Sequence, residues 1–339
     1  MPQEIKEPSW HAHEYFFNRN KILLNGFAST GKLWIAGVYS FAEFDTARAE
    51  QPILYLNWVD IPLSSKPAIS KDFYAYPYPT GDALVIRANA FPVDPEGNLR
   101  FSLSAIDSSF SPRARIAADN YRHPVGAFNQ SGQLLFAVID SSEMNVCLNQ
   151  LKSSGPFPRR LEVTSTRRIH LAGYDYVCYD IEWFHDRFLV GTWKGAYLVY
   201  PTGEFKAIFS RHIYEFFAFH DTLYALSGAE LYRSADLGDT WQLYATNFPI
   251  WYARFFEVRS KLCFYVGSQM AELEVGTGRI RELDNFGLET NEITSVSEFY
   301  GKVYVATLSG LFYRDAKGFF TYKEETTSQR LNTTAMVVQ

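Results

Sequence analysis

Short runs of alternating apolar and polar residues fill the second half of the chain, interrupted every few positions by turn-forming residues. Over 176–209, a run ending in Glu182-Trp183-Phe184 meets a His185-Asp186 turn and returns through 187–192. Residues 195–200, a Pro201-Thr202-Gly203 turn and residues 204–209 complete four predicted strands. The unit recurs over 214–241, 251–283 and 293–323. Its equivalent aromatic positions Phe184, Phe219, Phe256 and Phe299 are 35, 37 and 43 residues apart, the length of a propeller blade. In the last unit, 319–323 supplies the expected fourth strand.

The first half follows the same pattern less regularly. Apolar runs over 22–27, 33–38, 53–59 and 73–76 suggest one blade, those over 83–91 and 99–106 a second, and those between 125 and 169 a third. The expected fold is therefore all-β, a single β-propeller of seven four-stranded blades, with six or eight as the alternatives. Residues 1–20 form an N-terminal segment that can close the ring, 21–325 the propeller, and 326–339 a tail. The tail's β-type run from Asn332 is expected to pair near the N-terminal segment.

One stretch fixes the register of the blades. Ser234-Ala235-Asp236-Leu237-Gly238-Asp239-Thr240-Trp241 carries an Asp able to accept from backbone N–H groups of its own turn. Gly238 suits positive φ, Thr240 begins a returning strand, and Trp241 can fill the space between sheets. With Ser234, Asp236, Gly238, Thr240 and Trp241 all matched, the octapeptide resembles the Asp-box, or bacterial-neuraminidase repeat. That resemblance implies a hairpin between the two outer strands of a propeller blade, and a structural role for these five residues. Val190-Gly191-Thr192-Trp193-Lys194-Gly195-Ala196-Tyr197 and Val305-Ala306-Thr307-Leu308-Ser309-Gly310-Leu311-Phe312 resemble a second propeller repeat, that of periplasmic sensors in bacterial two-component systems.

Composition narrows the function. A net charge of −5 argues against a general nucleic-acid binder, and no apolar run is long enough to cross a bilayer. Met1 to Trp10 is polar, and Cys147, Cys178 and Cys263 lie far apart in strand-like runs, which suggests buried thiols in a reducing compartment. A cytoplasmic location is the expectation. His11-Ala12-His13 is too small a set for a metal site, so neither metal nor cofactor is expected.

The Asp-box hairpins occupy one face of such a fold; the loops entering each first strand and joining second to third occupy the other. The latter loops are aromatic-rich, with Tyr76, Tyr121, Arg122, Tyr174, Trp193, Lys194, Trp251, Tyr252 and Arg254 as candidate binding residues. Rings beside a few cations suit a protein partner or a sugar. Catalysis finds little support. The Arg-Ile-Pro string that precedes sialidase repeats is absent, and Asp175, Asp180, Glu182, Glu289 and Glu292 show no spacing that singles out a glycosidase pair. The sequence thus points to a non-enzymatic scaffold or assembly module binding a protein partner, with a glycan-binding or sialidase-like propeller as the alternative.

Overall fold

A computed structural model describes residues 9–14, 23–29, 31–37, 40–46, 53–56, 73–77, 83–87, 115–116, 125–140, 143–154, 160–171, 177–248, 252–288, 291–323 and 332–333. Six antiparallel sheets of four or five strands form the blades of a propeller. Blade 1 comprises Leu23–Ser29, Lys32–Gly37, Ser40–Asp45 and Ile53–Leu56. Blade 2 is built from Gly126–Phe128, Gln133–Asp140, Glu143–Ser154 and Arg160–Ile169, with Arg115–Ile116 added beside Gln133–Asp140. Blade 3 runs Cys178–Phe184, Arg187–Thr192, Ala196–Val199 and Phe205–Phe209. Blade 4 runs Glu215–Phe219, Thr222–Ser227, Glu230–Ser234 and Gln242–Thr246, and blade 5 Arg254–Val258, Lys261–Val266, Gln269–Glu274 and Arg279–Glu282. Blade 6 has Ile293–Phe299, Lys302–Thr307 and Gly310–Asp315, with His11–Ala12 as its fourth strand.

The blade count is thus the lower of the alternatives. A two-stranded sheet, Phe73–Pro77 with Ala83–Arg87, stands where a seventh blade would: its first strand lies against the first strands of blades 1 and 2. The first strands of the other blades adjoin in sequence, and blade 6 meets blade 1. The ring is closed.

The core is divided among the blade junctions. One apolar cluster joins blades 2 and 3, and others join 3 to 4, 4 to 5, 5 to 6 and 6 to 1. Second strands are buried along nearly their whole length because both faces meet a neighbouring blade, whereas Phe205–Phe209 at an outer edge stays wet. The first hairpin of blades 5 and 6 turns through Arg259-Ser260 and Tyr300-Gly301, all at positive φ, the conformation whose twist matches paired strands. His185 and His220 take the same left-handed conformation in blades 3 and 4, so they are turn residues.

The C-terminal elements depart from expectation. Residues 319–323 do not form the outer strand of blade 6. His11–Ala12 pairs there instead, opposite Tyr313 and Phe312. Phe319 is fully buried against Trp10 and Phe256, which draws its segment toward blade 5, where Tyr322 bridges Leu283. The tail does not meet the N-terminal segment over its described residues. Asn332–Thr333 adds a fifth strand to blade 4, opposite Thr246 and Ala245, whose outer edge offers unpaired backbone groups.

Candidate functional site

The turn at Ser234–Trp241 shows how the blades are registered. Ser234 Oγ donates to Asp236 Oδ1 at 2.8 Å and accepts from Gly238 N at 2.8 Å. Asp236 also accepts from Thr240 N at 2.8 Å and Thr240 Oγ1 at 2.6 Å. These donors hold its carboxyl near a pKa of about 2, with the Thr240 hydroxyl the largest influence. Leu237 and Gly238 both have positive φ, and a Cβ on Gly238 would stand 3.0 Å from Leu189 of blade 3. Trp241 packs on Phe209 of blade 3 and Phe216 of blade 4. Asp239 crosses to blade 3, accepting from Arg187 at 3.0 Å and Lys206 at 3.2 Å. The hairpin is a junction between blades.

The opposite face carries a groove. Trp193 and Lys194 sit in the loop between the second and third strands of blade 3. Ser210, Arg211 and His212 come from the connection into blade 4, and Glu230 from the second-to-third turn of blade 4. Together with Ser227 and Ala229 they bound about 740 Å³, within the usual range of ligand clefts.

The local sequence explains why these segments meet. Thr192 Oγ1 accepts from Lys194 N and Gly195 N and donates to Gly195 O, which locks the loop that presents Trp193. Thr307 repeats the arrangement in blade 6, donating to Gly310 O and accepting from Ser309 N. A Cβ on Gly191 would lie 2.9 Å from Ile213 O, and one on Gly195 2.5 Å from Phe209 O. The two glycines of the Val-Gly-Thr-x-x-Gly string therefore admit the backbone of the connecting segment, and Ile213 N bonds Thr192 O at 3.1 Å.

Rings continue from the groove across the face. Trp193 is 54% exposed and stacks on His212 with centroids 5.5 Å apart. His212 meets Tyr214 edge-on at 5.0 Å, and Tyr214 meets Tyr252 at 5.1 Å. Val177 and Tyr252 also expose more than a third of their surface, and Trp193 N bonds Val177 O. On the groove wall, Glu230 accepts from Arg211 and, at 2.6 Å, from Tyr232 OH. Burial, assisted by Arg211 and opposed by Glu230, holds His212 below its ordinary pKa, which keeps it neutral near pH 7.

Beneath this face is a charged cluster. Asp180, Glu215 and Arg254 occupy the same register on the first strands of blades 3, 4 and 5, each paired four positions before the strand's last residue. Asp180 Oδ2 accepts from Phe216 N at 2.6 Å, and Glu215 Oε1 from Phe255 N at 3.2 Å, so each carboxylate binds the backbone of the next blade. Arg254 pairs with Glu215, lies 3.9 Å from Asp180 and donates to Tyr179 O at 3.2 Å. Burial pushes Glu215 up to about 8 against the pull of Arg254. Glu182, two residues beyond Asp180 on the same strand, is solvent-exposed. Asp180 and Glu215 hold strands together, and Arg254 turns inward to them.

Of the residues read from the sequence, Trp193, Lys194 and Tyr252 share one face. Tyr76 lies in the strand Phe73–Pro77, while Tyr121, Arg122, Tyr174 and Trp251 fall outside the described residues. Arg211, His212, Glu230 and Glu215 were not singled out. For Glu215 the signal was available: a charged residue at a fixed position in three successive repeats, amid apolar neighbours. Among the described residues no group of three His, Cys, Asp or Glu could hold a metal ion, and no helix is long and apolar enough to cross a membrane.

No protein-family model matches the chain, and no curated protein matches it. Solved structures share its fold. The extracellular domain of a protein described as a hybrid two-component system from B. thetaiotaomicron superposes with a TM-score of 0.58 at 11% identity, covering 91% of this chain and 41% of that one. The extracellular domain of a one-component system from the same organism gives 0.59 at 11% identity, covering 94% and 44%. This chain thus spans less than half the length of both. The Cps50 (Swd1) β-propeller domain of Myceliophteria thermophila gives 0.52 at 14% identity, covering 87% and 96%. The cytoplasmic location expected from the sequence is corrected by the first two, which are extracellular domains. The cysteines on which that expectation leaned do not discriminate: all three are buried and outside any disulfide, and a buried thiol is inert in either compartment.

Proposed function

We propose that this chain is a non-catalytic propeller that docks a protein partner, outside the cytoplasm, through the loop face of blades 3 to 5. One observation carries the reading: Val177, Trp193 and Tyr252, three of the six large apolar side chains exposed among the described residues, share this face, and Trp193 lines its groove. Rigid aromatic anchors of this kind dominate interface energies. The hydrogen bonding of Ser234, Asp236 and Thr240 supports grouping the chain with Asp-box propellers. The test is crosslinking and capture from the native host with a Trp193→Ala/Tyr252→Ala variant. The specific partner should be lost, while Phe205→Ala, on the outer edge of blade 3, should retain it. A partner that survives the double substitution would sink the proposal.

The flat, exposed indole of Trp193 beside charged and hydroxyl groups favours a second reading, glycan recognition in the same groove. A glycan array with no signal above the Trp193→Ala background would dispose of it.

A further inference from the structure

The wall of the groove is unevenly supplied with hydrogen-bonding groups. Its acceptor, Glu230, already receives Arg211 and the Tyr232 hydroxyl. Its donors are more numerous: Arg211 carries five N–H groups, of which Nη1 serves Glu230, and its side chain remains 57% exposed. Lys194 adds a second cation and Ser210 a hydroxyl. Two cations against one anion make a locally basic site on a chain of net charge −5. A ligand therefore has to bring acceptors and negative charge.

The floor asks for something else. Exposed Trp193 stacks on His212, His212 meets the buried Tyr214, and Tyr214 meets exposed Tyr252, in centroid steps of 5.0 to 5.5 Å. A single sugar ring would use the indole face and leave Tyr252 without a role. An extended peptide can reach from Trp193 to Tyr252, and proline or aromatic residues pack on aromatic-lined grooves at low entropic cost.

We infer that the groove is the anchor of the docking face and takes an extended partner segment in which a carboxylate side chain adjoins a proline or aromatic residue. The segment's ring lies on Trp193, and its carboxylate meets Arg211 and Lys194. This rests on the reading of the face as a protein-docking surface.

The test uses the full chain and two fluorescein-labelled peptides of equal length, one of alternating Glu and Pro and one of alternating Lys and Pro, followed by fluorescence anisotropy at low ionic strength. The Glu-Pro peptide should bind and the Lys-Pro peptide should not. Trp193→Ala and Arg211→Glu, both at exposed positions, should each weaken binding by about tenfold or more with an unchanged circular dichroism spectrum. Equal binding of both peptides, or Glu-Pro binding unaffected by either substitution, overturns the inference. So does binding of an oligoglucuronate with no binding of peptide, which would assign the groove to acidic glycans. If a native partner is lost in the Trp193→Ala/Tyr252→Ala variant yet is not displaced by the Glu-Pro peptide, the docking face stands and the acidic segment falls.

Discussion

The junctions between blades 3, 4 and 5 and the seam between blades 6 and 1 solve one problem with different chemistry. In the first region a buried carboxylate on each first strand accepts a backbone N–H from the next, and Arg254 balances the pair. At the seam the contacts are mainly rings, beside one hydrogen bond from Ser297 Oγ to Gly26 O at 3.4 Å. His13 lies buried between Phe44 of blade 1 and Tyr313 of blade 6, and Phe44 meets Tyr304. Directional bonds suit the repeated junctions, where every strand has a fixed partner in register. Packing suits the seam, which must join the two ends of one chain. The face that carries the groove is built on the polar junctions, so its loops rest on the more sharply defined part of the ring.

The largest expected effect comes from breaking the polar junction. Above pH 8, where both carboxyls are ionised, Arg254→Met leaves Asp180 and Glu215 without their cation and should cost about 3–5 kcal/mol in urea unfolding. Because the Glu215 carboxyl is raised from 4.5 to about 8 in the fold, its contribution is present at acid pH and lost as pH rises across that interval. The variant should therefore recover on acidification. A loss below ~1 kcal/mol would show that the amides of Phe216 and Phe255 suffice to hold the carboxylates.

The seam responds in the opposite sense. Burial, with Lys302 adding to it, lowers His13 from 6.5 to about 4. Its contribution is complete above pH 6.5 and disappears as pH falls toward 4, by up to ~3 kcal/mol. His13→Phe should flatten that acid slope while leaving the alkaline limb alone. An unchanged slope in thermal unfolding between pH 7 and 4 would place the acid sensitivity elsewhere. The smallest effect belongs to the exposed hairpin that carries Asp239. Asp239 is 39% exposed where it meets Arg187 and Lys206, so Asp239→Ala should cost only ~0.5–1 kcal/mol and less in high salt. A loss of several kcal/mol would make that exposed bridge the equal of the buried one.

The architecture was legible because blade periodicity is a local property. Runs such as 187–192 and turns such as Tyr300-Gly301 announce themselves within a few residues. The blade count was harder, since Phe73–Pro77 and Ala83–Arg87 have strand composition yet lie in a two-stranded sheet, and nothing local distinguishes that from a full blade. The edges were misread for a related reason. Whether 319–323 or His11–Ala12 takes the outer place in blade 6 depends on where Trp10 and Phe319 find burial, a contest between distant segments. In the site, Trp193, Lys194 and Tyr252 were visible as aromatic or cationic loop residues. Arg211 and Glu230 were not, because their pairing spans two loops that only the folded ring brings together.

The borrowed strand of blade 6 has a consequence for how the protein is made. His11–Ala12 is synthesised ~300 residues before its partners Phe312 and Tyr313. Until then blade 6 has no outer edge strand, and the N-terminal segment has no place to go. In a crowd of nascent chains, the segment of one copy can be captured by the finished blade of another. A swapped pair of this kind keeps every contact of the closed ring, differing only in which molecule supplies the latch.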